Sequence, residues 1–257
     1  MSESAVVQRP AAEYGNWVSK RLVYGPAAIG MTFVPLTAWS PFFVVPAAIL
    51  LPVAAYFAYA RHLFAPQGGD VQGSVWSVLL ERMEWDGRGR ALDVGCGNGA
   101  LSIRLAKRYP GAQVVGVDYW GEQWEYSKAL CERNAAIEGV EGRVTFQKAS
   151  AASLPFPDGS FDAVVSNLTF HEVRDAPDKR LLVREALRVV REGGVFALQD
   201  LFLIRRMYGG ADALLETIRG WGAAEVEFVE TSRAPFVPRA LKLPFMLGTM
   251  GLVVGEK

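Results

Sequence analysis

From Leu22 to Ala60 the chain carries no charged side chain, and the flanking residues are basic: Lys20 and Arg21 before, Arg61 and His62 after. The whole run, RLVYGPAAIGMTFVPLTAWSPFFVVPAAILLPVAAYFAYAR over 21–61, gives way after APQGGD (65–70) to ordinary mixed composition, and the domain boundary is placed there. Four units are expected: a polar segment over 1–20, an apolar helical hairpin over 21–64, a linker over 65–72 and a larger domain over 73–257. A bilayer core of about 30 Å takes about 20 helical residues, so the run is too long for one upright span and suits two short ones. TAWSPFF (37–43) is the natural turn, because Pro41 disfavours helix at Ser40 and Trp39 is an amphipathic ring of the kind that settles at an interface. Two spans leave both basic flanks on one face, the cytoplasmic one by the positive-inside rule, whereas one span would strand a basic pair on the far side. This predicts a multi-pass hairpin with the larger domain on the cytoplasmic side. The alternatives are a re-entrant or surface-lying hairpin and an unusually apolar piece of soluble core. Five prolines, Pro26, Pro35, Pro41, Pro46 and Pro52, are many for two soluble helices, though better tolerated in spans. AYA at 58–60 imitates a signal-peptidase site, but the apolar segment starts too late and lasts too long for a signal peptide.

Beyond the boundary, short apolar runs alternate with helical periodicity. RALDVGCGNGALSIRLAKRYPGAQVVGVDYW reads as a buried strand (91–94), a glycine loop (95–99), a helix ending near Tyr109 and a second strand (114–117) closed by Asp118. That is one β-α-β unit. Further strands are expected in 143–149, 161–167, 193–201, 224–230 and 248–256, with a helix over 178–190 that Gly193 and Gly194 would stop. Seven strands with helices between them predict an α/β, doubly wound sheet preceded by the apolar hairpin.

Composition removes other classes. Lysine plus arginine number 27 and aspartate plus glutamate number 27, so no basic field exists to hold nucleic acid. Cys96 and Cys131 lie far apart in sequence and in unlike contexts, so neither a metal knuckle nor a disulfide framework is expected, and no metal is called for.

The chemistry is concentrated in the first β-α-β unit. Glycines serve where backbone must turn sharply or approach a ligand closely, and the next helix presents free N–H groups. An acid about 20 residues beyond the loop can accept hydrogen bonds from both ribose hydroxyls. GCGNGA alone fits nicotinamide cofactors as well as others. Asp93, two residues before the first glycine, would repel a pyrophosphate and attract an ammonium group. DVGCGNG, GVDYW and LPFPDGSFDAVVSN together resemble the class I S-adenosylmethionine-dependent methyltransferases of the small-molecule branch, over about 73–257. The resemblance implies that Asp93, Gly95, Gly97 and Gly99 border the methionine moiety of S-adenosyl-L-methionine, that Asp118 holds the ribose, and that Tyr119 packs near the adenine. It implies a cofactor role for Ser150, Ala151 and Asn167 as well. One departure weakens the adenine contact: family members commonly carry Asp where Ser150 stands, and a hydroxyl accepts more weakly.

Acceptor residues are sought beyond the carboxyl ends of the strands. SNLTFHEV would put Asn167, Phe170 and His171 at the mouth, and Asp200 ends the fifth strand. His171 is a candidate base, since an imidazole with a pKa of about 6.5 accepts a proton near neutrality; the alternative is a histidine that caps a loop. NLTF lacks the prolines of the N-P-P-Y pattern, which counts against a planar amine acceptor. FLIRRMYGGADALL (202–215) and PFVPRALKLPF (235–245) mix apolar and basic residues as interfacial surfaces do. Together these features predict a membrane-held methyltransferase for a lipophilic or amphipathic small molecule, with an inactive cofactor-binding membrane scaffold or a nicotinamide-dependent reductase as the alternatives.

Overall fold

The computed structural model describes residues 10–121 and 126–257. Two helices come first: α1, Lys20–Leu36, and α2, Val44–Phe64. Ser19 caps α1 by accepting from the Arg21 N–H, and a turn at 37–39 with a short 3-10 turn, Pro41–Phe43, joins the pair. Proline suits the first position of such a turn, where its missing N–H has no partner to lose. The helices pack closely where Gly30 faces Leu51; a Cβ on Gly30 would stand 2.9 Å from Leu51 Cδ2. Their outer faces are apolar and uncovered, with Trp39 and Phe42 at the tip each 83% exposed. Among the described residues one segment, Pro41–Phe64, is long and apolar enough to cross a membrane, and just 11% of its apolar window is buried. With 17 residues, α1 is shorter than a full span.

The remaining elements form a seven-stranded sheet with helices on its faces. They are α3 (Val71–Arg82), β1 (Gly89–Val94), α4 (Ala100–Arg108), β2 (Ala112–Asp118), α5 (Lys128–Ile137), β3 (Val144–Lys148), β4 (Phe161–Asn167), α6 (Arg180–Arg188), β5 (Val190–Asp200), α7 (Arg205–Tyr208), α8 (Ala211–Gly220), β6 (Glu225–Val229) and β7 (Gly251–Glu256). The strand order is β3-β2-β1-β4-β5-β7-β6, with β7 antiparallel to both neighbours. The central strands are buried on both faces, which explains why Ala91, Leu92 and Val94 in β1 and Ala163, Val164 and Val165 in β4 are apolar on both sides of the sheet. The strand order reverses at β1, whose neighbours are β2 and β4, and the crevice beyond the carboxyl ends there is where such sheets take ligands.

A local expectation is corrected. Gly193 and Gly194 do not stop a helix: α6 ends at Arg188, and the pair lies inside β5. There Phe161 pairs with Val190 but Ala163 with Val195, so extra residues bulge out of β5, and Gly193 takes φ +67°. A Cβ on Gly194 would meet the Arg191 carbonyl at 2.9 Å, so the bulge needs a residue without one.

A separate apolar cluster, the third in the molecule beside one on each face of the sheet, ties the helix pair to the sheet. Val18, Ala60, Phe64, Val71 and Val75 pack with Leu201, beyond β5, and with Leu241, Leu247 and Met250 from the segment before β7. Phe64 is 2% exposed, and burying such a side chain stabilises by about 1.5–3 kcal/mol. Polar contacts close the same joint. Asn16 Nδ2 donates to the Arg61 carbonyl at 2.9 Å, and Arg61 donates to the Val18 carbonyl. The foot of the helix pair is therefore fixed at the end of the sheet that carries the crevice.

Candidate functional site

The glycine loop follows β1 without a side-chain cap and enters α4 at Gly99, which is left-handed at φ +80°. Gly95 is required twice over: its φ is +78°, and a Cβ would fall 2.0 Å from Thr169 Oγ1. The loop hangs on β2, because the Gly95 and Cys96 N–H groups both donate to the Val117 carbonyl, at 2.8 and 3.0 Å. Asp118 completes the hold. Its Oδ2 accepts from Gly97 N–H at 2.9 Å and its Oδ1 from Trp120 N–H at 2.8 Å, while Trp120 Nε1 donates to the Gly97 carbonyl at 2.8 Å. Each carboxylate oxygen keeps acceptor capacity for a ligand hydroxyl. Burial raises the Asp118 pKa, and the backbone donors oppose that rise.

Asp93 lies at the base of the crevice and is 1% exposed. Its Oδ2 accepts from Ser102 Oγ at 2.6 Å. Burial pushes its pKa up to about 7, the Ser102 bond opposes this, and the nearby Asp118 charge adds to it. A carboxyl so poised gains from a cationic ligand.

A cavity of about 710 Å³ opens over these groups. Asp93, Gly95, Gly97 and Asp118 form its floor. Tyr119, Ser150, Ala151 and Asn167 stand in the wall as well. Tyr119 is 63% exposed, with Lys148 Nζ 5.0 Å from its ring centre. Ser150 Oγ accepts from the Ala152 N–H at 3.2 Å. Asn167 Oδ1 is buried in this wall with no hydrogen-bond partner among the described residues, an acceptor open to a donor. Gly99 does not line the cavity; a Cβ there would stand 2.9 Å from Phe146 Cζ, so its task is packing α4 on the sheet. Two carboxyl groups, one with its pKa near neutrality, and an orphaned amide oxygen fit a cofactor with a positive charge, an amino group and ribose hydroxyls.

Across the cavity the fold brings His171 and Asp200 together. His171 Nδ1 is 2.8 Å from Asp200 Oδ1. Asp200 itself is fully buried behind the wall. It accepts from the N–H groups of Phe170 and Leu201, each at 2.7 Å, and from Tyr208 Oη at 3.2 Å. His171 lines the cavity, and the bond at Nδ1 leaves Nε2 as the other ring nitrogen, with Glu172 Oε1 at 3.8 Å. Burial disfavours the imidazolium, but the Asp200 charge and hydrogen bond with the Glu172 charge outweigh it, so the His171 pKa is raised. Phe170 is a correction: it is fully buried in the core rather than at the mouth, because the 3-10 turn Phe170–Glu172 directs it inward.

Other parts of the site escape sequence reasoning. Tyr14, Trp17 and Val18, from the segment expected to be merely polar, line the cavity. Trp17 packs edge-on against Phe64 at 5.4 Å and Trp76 at 5.7 Å. The aromatics in AEYGNWV are a signal that this stretch packs. Tyr208 offers none, since its partner is eight residues away and a left-handed Gly209 fixes its place. Cys96 and Cys131, distant in sequence, are neighbours beneath the loop: both are buried, Cys131 Sγ donates to the Gly97 carbonyl at 3.1 Å, and burial with the Cys131 contact raises the Cys96 pKa.

The fold and crevice have counterparts among known proteins. Residues 92–198 match the family model described as a methyltransferase domain. The 27-O-demethylrifamycin SV methyltransferase of Amycolatopsis mediterranei is 37% identical over 140 residues, 54% of this chain and 48% of that protein. The demethylmenaquinone methyltransferase of Thermus thermophilus is 40% identical over 105 residues, 41% of this chain and 44% of that one. The chain thus spans about half the length of these curated relatives. Among solved structures, a geranyl diphosphate methyltransferase in complex with S-adenosylmethionine superposes with a TM-score of 0.53 at 16% identity, covering 76% of this chain and 93% of that one. The [4+2]-cyclase SpnF gives 0.52 at 23% identity, covering 71% and 79%. Those likenesses establish the fold, and a cyclase among them shows why the site, not the fold, decides the reaction. Over residues 92–198 the chain is thus similar to a methyltransferase domain.

Proposed function

We propose that the protein transfers a methyl group from S-adenosylmethionine to a hydroxyl of an apolar small molecule, and that its helix pair holds it on a membrane. The observation that carries the reaction is the His171–Asp200 pair, with 2.8 Å between Nδ1 and Oδ1, facing the cavity that holds Asp93 and Asp118. When bound, S-adenosylmethionine supplies an electrophilic methyl on a sulfonium. The chain's residues do the remainder. Asp118 orients ribose hydroxyls, Asp93 meets the positive charge, and the ring of His171 takes the acceptor's hydroxyl proton at Nε2. Asp200 holds the tautomer that leaves Nε2 basic and balances the imidazolium that forms. A base is needed where the acceptor atom bears a proton, which favours oxygen or an acidic carbon. Alignment supplies much of the rest.

Support for the membrane part is of a different kind. Pro41–Phe64 has the length and apolarity of a span and is scarcely buried, unlike a core helix of a soluble protein. Lys20, Arg21, Arg61 and His62 lie together at the foot, as expected of a cytoplasmic face. The shorter α1 enters alongside α2, so the pair inserts as a hairpin. The demethylmenaquinone methyltransferase among the relatives adds weight to a lipophilic acceptor.

The test uses the full chain reconstituted in vesicles, methyl-labelled S-adenosylmethionine and a lipid extract. Label should move into an organic-soluble product, the transfer should vanish in Asp118→Ala, and the product should carry a new methyl ether. Cofactor binding without transfer to any extract component would refute the assignment of the reaction.

A further inference from the structure

Part of the cavity lining is apolar and comes from outside the sheet's strands and the glycine loop. Leu22 of α1, Phe57 of α2 and Phe245–Leu247 of the segment before β7 form it. Two of these face outward as well: Leu22 is 45% exposed and Phe245 is 65% exposed. A latch fixes their arrangement, since Tyr56 Oη donates to the Ala240 carbonyl at 3.0 Å and the Tyr56 ring meets Phe245 edge-on at 6.3 Å. Tyr24 of α1 and Ile49 and Val53 of α2 are likewise exposed and apolar. Leu22 and Phe245 thus belong both to the lining of the cavity that holds His171 and to the exposed apolar surface of the chain.

Depth along α2 places this opening. Counting about 20 residues for a span, the apolar stretch runs from Pro41 to Ala60, and Tyr56 stands four residues inside its end. At 1.5 Å per residue that is roughly 6 Å, the level of the headgroup and acyl boundary. Lys242, three residues before Phe245, and Arg61 lie on the foot side, where anionic headgroups pair with cations.

We propose that the opening between Leu22, Phe57 and Phe245 is a lateral portal, through which the apolar acceptor passes from the lipid leaflet to His171 without entering water. The inference rests on the membrane reading above and adds the route and the chemical class of the occupant: a molecule with an apolar tail that stays in lipid and a hydroxyl-bearing head that reaches Nε2. Phe245 is a positioning residue at the entrance.

The experiment labels the full-length Phe245→Cys variant with a polarity-sensitive nitrobenzoxadiazole dye. Cys96 and Cys131 are buried and stay unlabelled. Glu141→Cys, exposed on the turn between α5 and β3, serves as the control. The proteins are reconstituted into phosphatidylcholine vesicles containing phosphatidylglycerol, with or without a lipid bearing a doxyl quencher near the top of its chain. At position 245 the doxyl lipid should quench several-fold more strongly than aqueous iodide, with the reverse at 141. A second readout loads the vesicles with a phenol whose alkyl tail carries a diazirine; photolysis should mark the peptides containing Phe57 and Phe245–Leu247. Iodide quenching at 245 in protein that floats with vesicles, or adducts confined to the outer faces over 29–53, overturns the portal and leaves the membrane reading standing. Protein that does not float overturns both.

Discussion

Asp93 should make cofactor affinity depend on pH in a window where few other groups titrate. Its carboxyl is pushed from 3.8 up to about 7 by burial, so in the free protein it is half ionised at neutrality. A rise of about three pKa units corresponds to roughly 4 kcal/mol, the cost of ionising it in the empty crevice relative to water. A cationic ligand against the carboxylate offsets that cost and returns the pKa toward its ordinary value. The ionised form binds, so affinity falls as pH drops below about 7, approaching tenfold per unit. Between about pH 7 and pH 5.5 the ionised fraction of a group with pKa about 7 falls from one half to about 3%, which predicts a roughly fifteenfold weaker Kd. The ligand's own α-amino group, with an ordinary pKa of about 7.7–8.0, stays largely protonated throughout that window. Calorimetry with S-adenosylmethionine in buffers of differing ionisation enthalpy should count close to one proton released per ligand at about pH 5.5 and about half at pH 7. Asp93→Asn keeps an oxygen for Ser102 Oγ, should fold, and should bind weakly with no such slope. A wild-type Kd that is flat over the window, with no proton released, would falsify the assignment of Asp93 as the partner of the ligand's charge.

Further expectations concern other parts of the molecule. With the acceptor that the extract assay identifies, His171→Ala should lower kcat by about 10²–10⁴, the range for a positioned base. Because Asp200 raises the His171 pKa, wild-type kcat should fall on the acid side through a pKa above 6.5, and Asp200→Asn should move that limb to lower pH while slowing turnover; an unmoved limb rules out the coupling. Gly95→Ala combines a left-handed residue with a Cβ 2.0 Å from Thr169 Oγ1, and should cost about 2 kcal/mol or more, seen as a melting point lower by several degrees. Trp17→Ala removes two edge-on ring contacts, each worth about 0.5–1.5 kcal/mol, and should raise hydrogen exchange across 13–18 and the end of α2 without altering exchange in β1; uniform destabilisation would contradict a local joint.

Much of the fold is legible in the sequence because parallel strands buried on both faces must be apolar throughout. Strand limits are sharpest where a polar residue ends the run, as at Phe161–Asn167, where expected and observed limits coincide. The cofactor side of the site is legible for a related reason: its residues sit within one β-α-β unit, and loop glycines and strand-end acids are local signals. The acceptor side is not. His171 and Asp200 can each be placed at a strand end, but their 2.8 Å contact depends on adjacent strands β4 and β5 stopping in register, which is tertiary information. Tyr14 and Trp17 read as part of a polar tail because charge and small residues surround them. The Gly193–Gly194 pair reads as a helix stop, when a bulge in β5 makes the same demand on backbone.

The third apolar cluster also bears on how this protein can be taken apart. Cutting the chain at the apparent boundary near Gly73 would remove Val18, Ala60, Phe64 and Val71, and would lay bare Val75, Leu201, Leu241 and Met250, all now buried. It would also begin inside α3. The helix pair is thus no detachable appendage, and a piece trimmed at Gly73 would carry an exposed apolar patch where its partner had been. Val18, Phe64, Leu201 and Leu247 both seat the helix pair and line the cavity, so a change in one is written into the other.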